Sequence, residues 1–180
     1  VLAKKAGAPV QYHLSRRENY LTATHQFPNY ATIKMGAKND GTLVAIEATI
    51  YSDIGANAMP LVGDAMSPLQ LTFNVPNMKL TGYSIVTNKP RCAYFRTVGE
   101  PGGLFLMNIV LDELAEKLNM DKVALLLKNA KTMSDNDNAT GKPFTSMALK
   151  EVIQGVANAI GWASKVHAPG AKALPDGTYH

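Results

Sequence analysis

Cysteine is scarce in this sequence, and its scarcity excludes several kinds of site. The 180 residues include one cysteine, Cys92, so the chain by itself forms no intrachain disulfide and no multi-cysteine zinc or iron–sulfur site. The histidines are also not spaced as metal ligands; they are His13, His25, His167 and His180. We therefore expect no metal site built from the side chains of this chain.

Long apolar runs and clustered charges are missing as well. No run approaches the ~20 apolar residues that cross a bilayer, and the first residues lack the pattern of a secretory leader. The net charge is +4, but the lysines are scattered and aromatic residues do not alternate with basic ones, which argues against nucleic-acid binding. We expect a cytoplasmic protein with no membrane span, and the periplasm is the alternative location.

Hydrophobic periodicity indicates an α+β fold, in which an antiparallel hairpin and further strands pack with helices. The two strands of the hairpin are expected at residues 30–36 and 42–51, because apolar and polar residues alternate there. The turn sequence Lys38-Asn-Asp-Gly41 between them is typical of hairpins. Further strands are expected at residues 9–15 and 78–87, and a short helix near 62–71.

Several segments carry helix signals. Residues 1–7 read like the last turns of a helix with Gly7 as its stop, which is a first sign of a fragment. Ser15 and Glu18 form a capping-box pattern. Three apolar stripes have helical spacing: Leu104, Met107, Leu111, Leu114 and Leu118; Val123, Leu126 and Leu127 after the cap residue Asp121; and Leu149, Val152, Ile153, Val156 and Ile160 after Ser146.

The loop that ends at Gly103 carries the strongest local sign of a functional site. Pro101 occupies a position typical of the first turn of a helix, and Gly102 and Gly103 let the backbone approach another group closely. Unpaired amides at a helix start can bind an anion or a polarised oxygen, although the carboxylate of Glu100 can fill such a place itself. Taken alone, a glycine-rich loop before a helix more often has a structural role.

Six short sequence motifs follow one another over about 120 residues of the chain. They are Ala8-Pro-Val with Leu14-Ser-Arg-Arg-Glu-Asn-Tyr-Leu21; Thr24-His-Gln-Phe-Pro28 with the hairpin from Ile33 to Ala45; Tyr51-Ser-Asp-Ile-Gly-Ala56; Val75-Pro-Asn77 with Thr87-Asn88; Phe95-Arg-Thr-Val-Gly-Glu-Pro-Gly102; and the paired helices from Met107 to Asn129. Together they resemble the large subunit of the xanthine oxidase and aldehyde oxidase family.

The resemblance implies an internal fragment of that molybdopterin-binding subunit. Residues 1–130 would be part of its first molybdopterin-binding domain, 131–144 a linker or surface loop, and 145–180 the start of the second domain. The metal of the molybdopterin would be held by the pterin, and iron–sulfur clusters, with FAD as a further candidate, would lie in partner domains or subunits. The parent would hydroxylate an aldehyde or an N-heterocycle with water as the oxygen source. A molybdenum hydratase and a cofactor-free binding module are the alternatives.

The resemblance also assigns site residues. Phe95, Arg96, Thr97 and Gly99 fall where family members face the cofactor. Val98 falls in the substrate pocket, with Met66 as a second candidate, although a core position is the simpler explanation for this methionine. No catalytic residue is expected in this chain, because the general-base glutamate of the family belongs to a later motif.

Departures from the family pattern bear on the substrate. Val98 replaces the aromatic ring of purine-oxidising members, and residues 63–67 contain no arginine. We therefore expect aldehydes or uncharged rings rather than purines. Three residues also have a structural explanation instead of a functional one. Arg96 could form an ion pair with Glu100, Cys92 could be an ordinary packed residue, and His25 could anchor the hairpin.

Overall fold

The structure, a computed structural model, describes residues 1–56 and 59–165. Its centre is a three-stranded sheet in the order β1–β2–β3. Strands β1 (Asn29–Ala37) and β2 (Leu43–Gly55) are antiparallel, whereas β3 (Asn77–Val86) runs parallel to β2. The helices are α1 (Leu2–Ala6), α2 (Arg16–Thr22), α3 (Val62–Leu71), α4 (Glu100–Lys117), α5 (Lys122–Asn129) and α6 (Leu149–Ala159). This combination confirms the predicted α+β class.

The β1–β2 hairpin forms where the alternating pattern predicted it. The Lys38 amide donates a hydrogen bond of 2.9 Å to the Thr42 carbonyl and closes the turn. Gly41 has a φ of 84°, a value that residues with a side chain rarely adopt. A Cβ at this position would also collide with the sulfur of Met120, 2.5 Å away. The backbone conformation therefore favours glycine here, and a larger residue would also have to displace the flexible end of Met120.

The core lies between one face of the sheet and the helices. α3 connects β2 to β3, and α4 packs against both α3 and β1. Burial of apolar side chains between these layers is the main force that stabilises the fold. The large apolar side chains of this core include Phe27, Leu43, Ile46, Ile50, Leu69, Phe73, Met107, Leu111 and Leu125.

Local capping signals proved reliable. The Ser15 side chain accepts a hydrogen bond from the Glu18 amide, and the Glu18 carboxylate accepts one from the Ser15 amide, so the predicted capping box starts α2. The Asp121 carboxylate accepts from the Ala124 amide at 2.8 Å and starts α5. Gly7 ends α1 with a left-handed φ of 63°. These predictions are confirmed because each depends on neighbours in sequence.

One predicted strand is absent, and two helix starts differ from the prediction. Residues 9–15 form no strand and are exposed, because alternation alone does not provide a neighbouring strand to pair with. α4 begins at Glu100, so Pro101 lies in its first turn as predicted, but the loop ends before Gly103, where we had expected its end. α6 begins at Leu149 rather than near Ser146, with Ala148 as its N-cap.

The faces that the helices bury also differ from the predicted stripes. α4 buries Gly103, Met107, Leu111 and Ala115, whereas Leu104 stays 41% exposed. Gly103 is buried because its small size lets α3 approach closely. A stripe of large apolar residues in the sequence does not predict the burial of such a small residue. α5 buries Leu125 and Asn129 rather than the predicted Val123, Leu126 and Leu127, which are partly exposed.

α6 presents much of its predicted apolar stripe to solvent. Val152, Val156 and Ile160 are 59%, 55% and 45% exposed, and the buried residue of the helix is Ala157. Beyond the helix, the Trp162 indole donates a 2.7 Å hydrogen bond to the Asp121 carboxylate. This bond attaches the end of α6 to the start of α5, which agrees with the predicted packing role of the tryptophan.

The segment 131–144 contains turns and no regular helix or strand, but it is held by an unexpected residue. Lys131 is 1% exposed. Its ammonium donates to the carbonyls of Gln70 (3.0 Å) and Asn136 (2.7 Å) and to the side-chain oxygen of Asn138 (2.9 Å). Burial lowers the pKa of this lysine. The loop is therefore wrapped around a buried cation and tied to α3.

Within the described residues, no helix is long and apolar enough to cross a membrane. The predicted start of a second domain includes residues 166–180, which lie outside the described residues. The division of the chain into two domains therefore stays a prediction.

Candidate functional site

The candidate loop runs from the end of β3 to the start of α4 and is attached first to the end of β2. The Ala56 amide donates to the Lys89 carbonyl (3.1 Å), and the Cys92 amide donates to the Ile54 carbonyl (3.1 Å). The Lys89 ammonium pairs with the Asp53 carboxylate. This ammonium, followed by the Thr87 hydroxyl, holds the pKa of Asp53 at about 2, below its usual 3.8.

The second attachment is the segment Thr24–Phe27, which precedes β1 and lies beside the loop. The Ala93 amide donates to the His25 carbonyl (3.3 Å), and the His25 imidazole lies 3.3 Å from the Cys92 sulfur. The Thr24 hydroxyl contacts the Tyr94 carbonyl at 3.4 Å. The segment thus follows the loop over several residues, and His25 connects the start of the hairpin to it, as predicted.

The middle of the loop has a rare backbone conformation. Thr97 and Val98 have φ values of 63° and 44°, in the left-handed region that β-branched residues avoid. Each such residue costs on the order of 1–3 kcal/mol and persists only where surrounding contacts hold it. The Val98 amide bonds to the Phe95 carbonyl (2.6 Å) and closes this turn. Strain of this kind is concentrated at functional sites.

The same turn leaves backbone donors unpaired. Across residues 1–56 and 59–165, the amides of Arg96, Thr97 and Gly99 donate to no protein acceptor. They lie immediately before α4, whose N-terminus adds a partial positive charge. Such a group of donors can bind an anion or an oxygen that carries negative charge.

The glycines of the loop allow the close approach that we predicted, and the groups that they approach belong to the protein itself. A Cβ at Gly103 would collide with the carbonyl of Ala65 in α3, and a Cβ at Gly102 would collide with the Asn29 side chain. At Gly99 a Cβ would lie 2.5 Å from the Phe27 ring. These glycines therefore allow α4 and the loop to pack against their own protein.

Comparison with known proteins identifies the domain. Residues 1–130 match the family model of the molybdopterin cofactor-binding domain. The chain belongs to this family. A probable xanthine dehydrogenase subunit of Bacillus subtilis (strain 168) is 33% identical over 138 residues, 75% of this chain and 18% of that protein. The aldehyde oxidoreductase of Megalodesulfovibrio gigas is 31% identical over 158 residues, 85% of this chain and 17% of that protein.

A solved structure agrees. The aldehyde oxidoreductase from Desulfovibrio gigas superposes with a TM-score of 0.69 at 30% identity, covering 79% of this chain and 16% of that chain. The predicted membership of the xanthine oxidase and aldehyde oxidase family is thus confirmed. The chain spans less than a fifth of the length of each of these relatives.

In this molybdopterin-binding domain the predicted cofactor residues lie together on one turn. Phe95 is 57% exposed, and the side chains of Arg96 and Thr97 are also exposed. Within the described part of the chain Arg96 forms no ion pair, so the predicted structural alternative, a pair with Glu100, is not present. Gly99 is buried against Phe27, and its unpaired amide remains as a donor.

The two predicted pocket residues are placed differently. Val98 is half-buried and packs against the core beside the loop. Met66 faces β3, where its sulfur lies 2.5 Å from the position of a Cβ on Gly82, and it lines a cleft with Met78, Leu80 and Gln70. Val98 is not among the residues that line this cleft. A shared substrate pocket for Val98 and Met66 stays a prediction.

Two acidic residues behind the loop were not predicted as a pair. One carboxylate oxygen of Glu100 is buried and has no hydrogen-bond partner, so Glu100 does not pair with the free amides. Burial raises the pKa of Asp64 in α3, and the carboxylate of Glu100 raises it further. Burial likewise raises the pKa of the Cys92 thiol, which agrees with ordinary packing for this cysteine.

The donors at the loop fit the molybdopterin cofactor. An exposed guanidinium and free amides suit a metal that carries oxygen ligands and is held by its own pterin. In the part of the chain that the structure describes, no three histidine, cysteine or acidic residues are grouped as a metal site. Sequence reasoning missed Gln26, whose side chain contacts the loop, since nothing local marks a contact across 72 residues.

Proposed function

We propose that this chain is part of the molybdopterin-binding subunit of a molybdenum hydroxylase, which hydroxylates an aldehyde or an N-heterocycle with water as the oxygen source. The observation that carries the proposal is the strained turn at Thr97 and Val98, which leaves several amides unpaired at the start of α4. Membership of the molybdopterin cofactor-binding family supports it.

Each residue of the turn has a distinct role in this proposal. The amides of Arg96, Thr97 and Gly99 would donate hydrogen bonds to oxygen atoms of the bound cofactor, and the exposed ring of Phe95 would offer it an apolar contact. The Arg96 guanidinium stabilises negative charge that develops on oxygen in the transition state. When bound, the cofactor supplies the oxidative chemistry that side chains cannot perform.

The proposed substrate is an aldehyde or an uncharged ring. Val98 provides an aliphatic surface beside the turn in place of an aromatic ring, and residues 63–67 offer no arginine to hold a charged purine. Among the relatives, one is named an aldehyde oxidoreductase and one a probable xanthine dehydrogenase subunit. Because the names of these relatives include both substrate classes, the proposed preference rests on Val98 and on residues 63–67 of this chain.

The rest of the machinery is proposed to lie outside these residues. The chain corresponds to less than a fifth of its relatives, so the general-base glutamate would belong to a later part of the same subunit. One relative is named as a subunit, which supports partner subunits with iron–sulfur clusters, and FAD as a further candidate. By itself this chain is expected to be inactive.

The test uses the full-length protein that contains this chain. Molybdenum and pterin are measured in the purified protein, and kcat/KM is compared for an aromatic aldehyde, quinoline, hypoxanthine and xanthine. We expect one molybdenum per subunit and a preference for the aldehyde or quinoline. Absence of molybdenum and pterin would contradict the proposal and favour a binding module. Water addition to an enone without oxidation would favour the hydratase, and preference for xanthine would contradict the substrate assignment.

A further inference from the structure

The strained turn needs a contact that holds it, and one side chain from a distant part of the chain supplies it. The Gln26 amide nitrogen donates a 2.8 Å hydrogen bond to the Val98 carbonyl. Val98 is one of two consecutive β-branched residues with positive φ, and elsewhere in residues 1–56 and 59–165 the only other non-glycine residue with positive φ is Asn119. The Gln26 bond therefore acts on the most unusual backbone of the domain.

Gln26 is itself held in place for this contact. The residue before it, His25, bonds through its carbonyl to the Ala93 amide, and the residue after it, Phe27, is buried with its ring against Gly99. The residues on both sides of Gln26 thus contact the loop, His25 through its backbone at Ala93 and Phe27 through its ring at Gly99. Because this backbone is already held, forming the bond costs only the rotamer freedom of the Gln26 side chain and no further backbone entropy.

We propose that Gln26 is a positioning residue for the cofactor-facing turn, an inference that rests on the proposed function. Its amide keeps Thr97 and Val98 in the left-handed region, so the free amides of Arg96 and Thr97 keep one arrangement toward the oxygen ligands of the cofactor. Without the bond, the strain favours a return to ordinary φ values, which turns these amides away. Gln26 touches neither cofactor nor substrate in this role.

The experiment replaces Gln26 by methionine in the full-length protein, because methionine keeps the length of the side chain and removes the donor. Gln154→Met is the matched control: it removes a 2.9 Å hydrogen bond from Gln154 to Asn158 on the surface of α6. Four quantities are measured, namely molybdenum content, melting temperature, kcat and KM per bound molybdenum, and the electron paramagnetic resonance signal of the partly reduced metal.

We expect Gln26→Met to retain molybdenum and to lower kcat by about tenfold or more, since small misplacements of donors have large effects on rate, while KM changes little. The resonance signal should shift, because the donors around the metal's oxygens have moved. Gln154→Met should match the parent protein in all four measurements. Gln26→Asn, whose side chain is too short to reach Val98, should reproduce the signal shift if Gln26→Met fails to fold.

Two results would overturn the role of Gln26 alone. In the first, the parent protein holds molybdenum and turns over, and Gln26→Met has the same kcat and signal. In the second, Gln26→Met loses molybdenum and melting temperature together, but kcat per bound molybdenum and the signal are unchanged, so that Gln26 only supports folding. A parent protein without molybdenum would instead overturn the proposed function, and this inference with it.

Discussion

Lys131 offers a demanding test of the structure, because a buried lysine at the start of a polar loop was not expected. Lys131→Met keeps a long apolar stem and removes the ammonium. The change leaves three oxygen acceptors without their donor, those of Gln70, Asn136 and Asn138. We expect the loop 131–144 to lose its attachment to α3 while the sheet and the other helices stay folded.

The magnitude follows from the contacts. The three acceptors are only part-buried and can return partly to water, so losing the donor costs each of them roughly the lower end of the 1–3 kcal/mol of a fully buried acceptor. Methionine also relieves the cost of burying a charge. We therefore take the lower end for each of the three acceptors, about 3 kcal/mol in total. Since 1.4 kcal/mol corresponds to a factor of ten, the local opening of the loop should become about 150-fold more frequent.

Hydrogen exchange measures this opening directly. The Asp137 amide bonds to the Lys142 carbonyl (2.9 Å), and the Gly141 amide bonds to the Asp137 carbonyl (2.8 Å), so both protons report on the loop. Their exchange in Lys131→Met should be faster by about the same factor of 150. Lys142→Met, which changes an exposed lysine of the same loop, is the control. Exchange within about threefold of the parent protein would refute the reasoning.

Three further predictions concern the site and its supports. Arg96→Ala in the full-length protein should lower kcat/KM about a hundredfold, which is ~3 kcal/mol of lost transition-state stabilisation; turnover within threefold at full molybdenum content would contradict this role. Gly103→Ala should destabilise the domain by about 1–3 kcal/mol, because the new methyl meets the Ala65 carbonyl; chemical denaturation with an unchanged midpoint would show that α3 and α4 separate easily. Asp53 should stabilise the fold above pH 3.8 and lose this effect as pH falls toward about 2, because its pKa is lowered in the folded state. The difference in unfolding free energy between the parent and Asp53→Asn should narrow over that range, and a constant difference would mean that Lys89 does not hold the carboxylate.

Features that depend on near neighbours could be predicted from the sequence. Alternation and the turn at Gly41 predicted the hairpin, and Ser15 and Asp121 predicted the starts of two helices, because capping and turn formation involve residues only a few positions apart. The order of short sequence motifs indicated the family. The loop at residues 95–99 was also recognised, since its motif is contiguous.

Features that join distant parts of the chain could not be predicted in this way and became visible in the folded structure. The parallel pairing of β3 with β2, the burial of Lys131 and the bond from Gln26 to Val98 leave no local pattern, because their partners lie tens of residues away. The left-handed conformation of Thr97 and Val98 is invisible in sequence for the same reason: β-branched residues avoid it unless remote contacts hold them. Local propensity determines which elements form, and long-range packing determines which side chains meet.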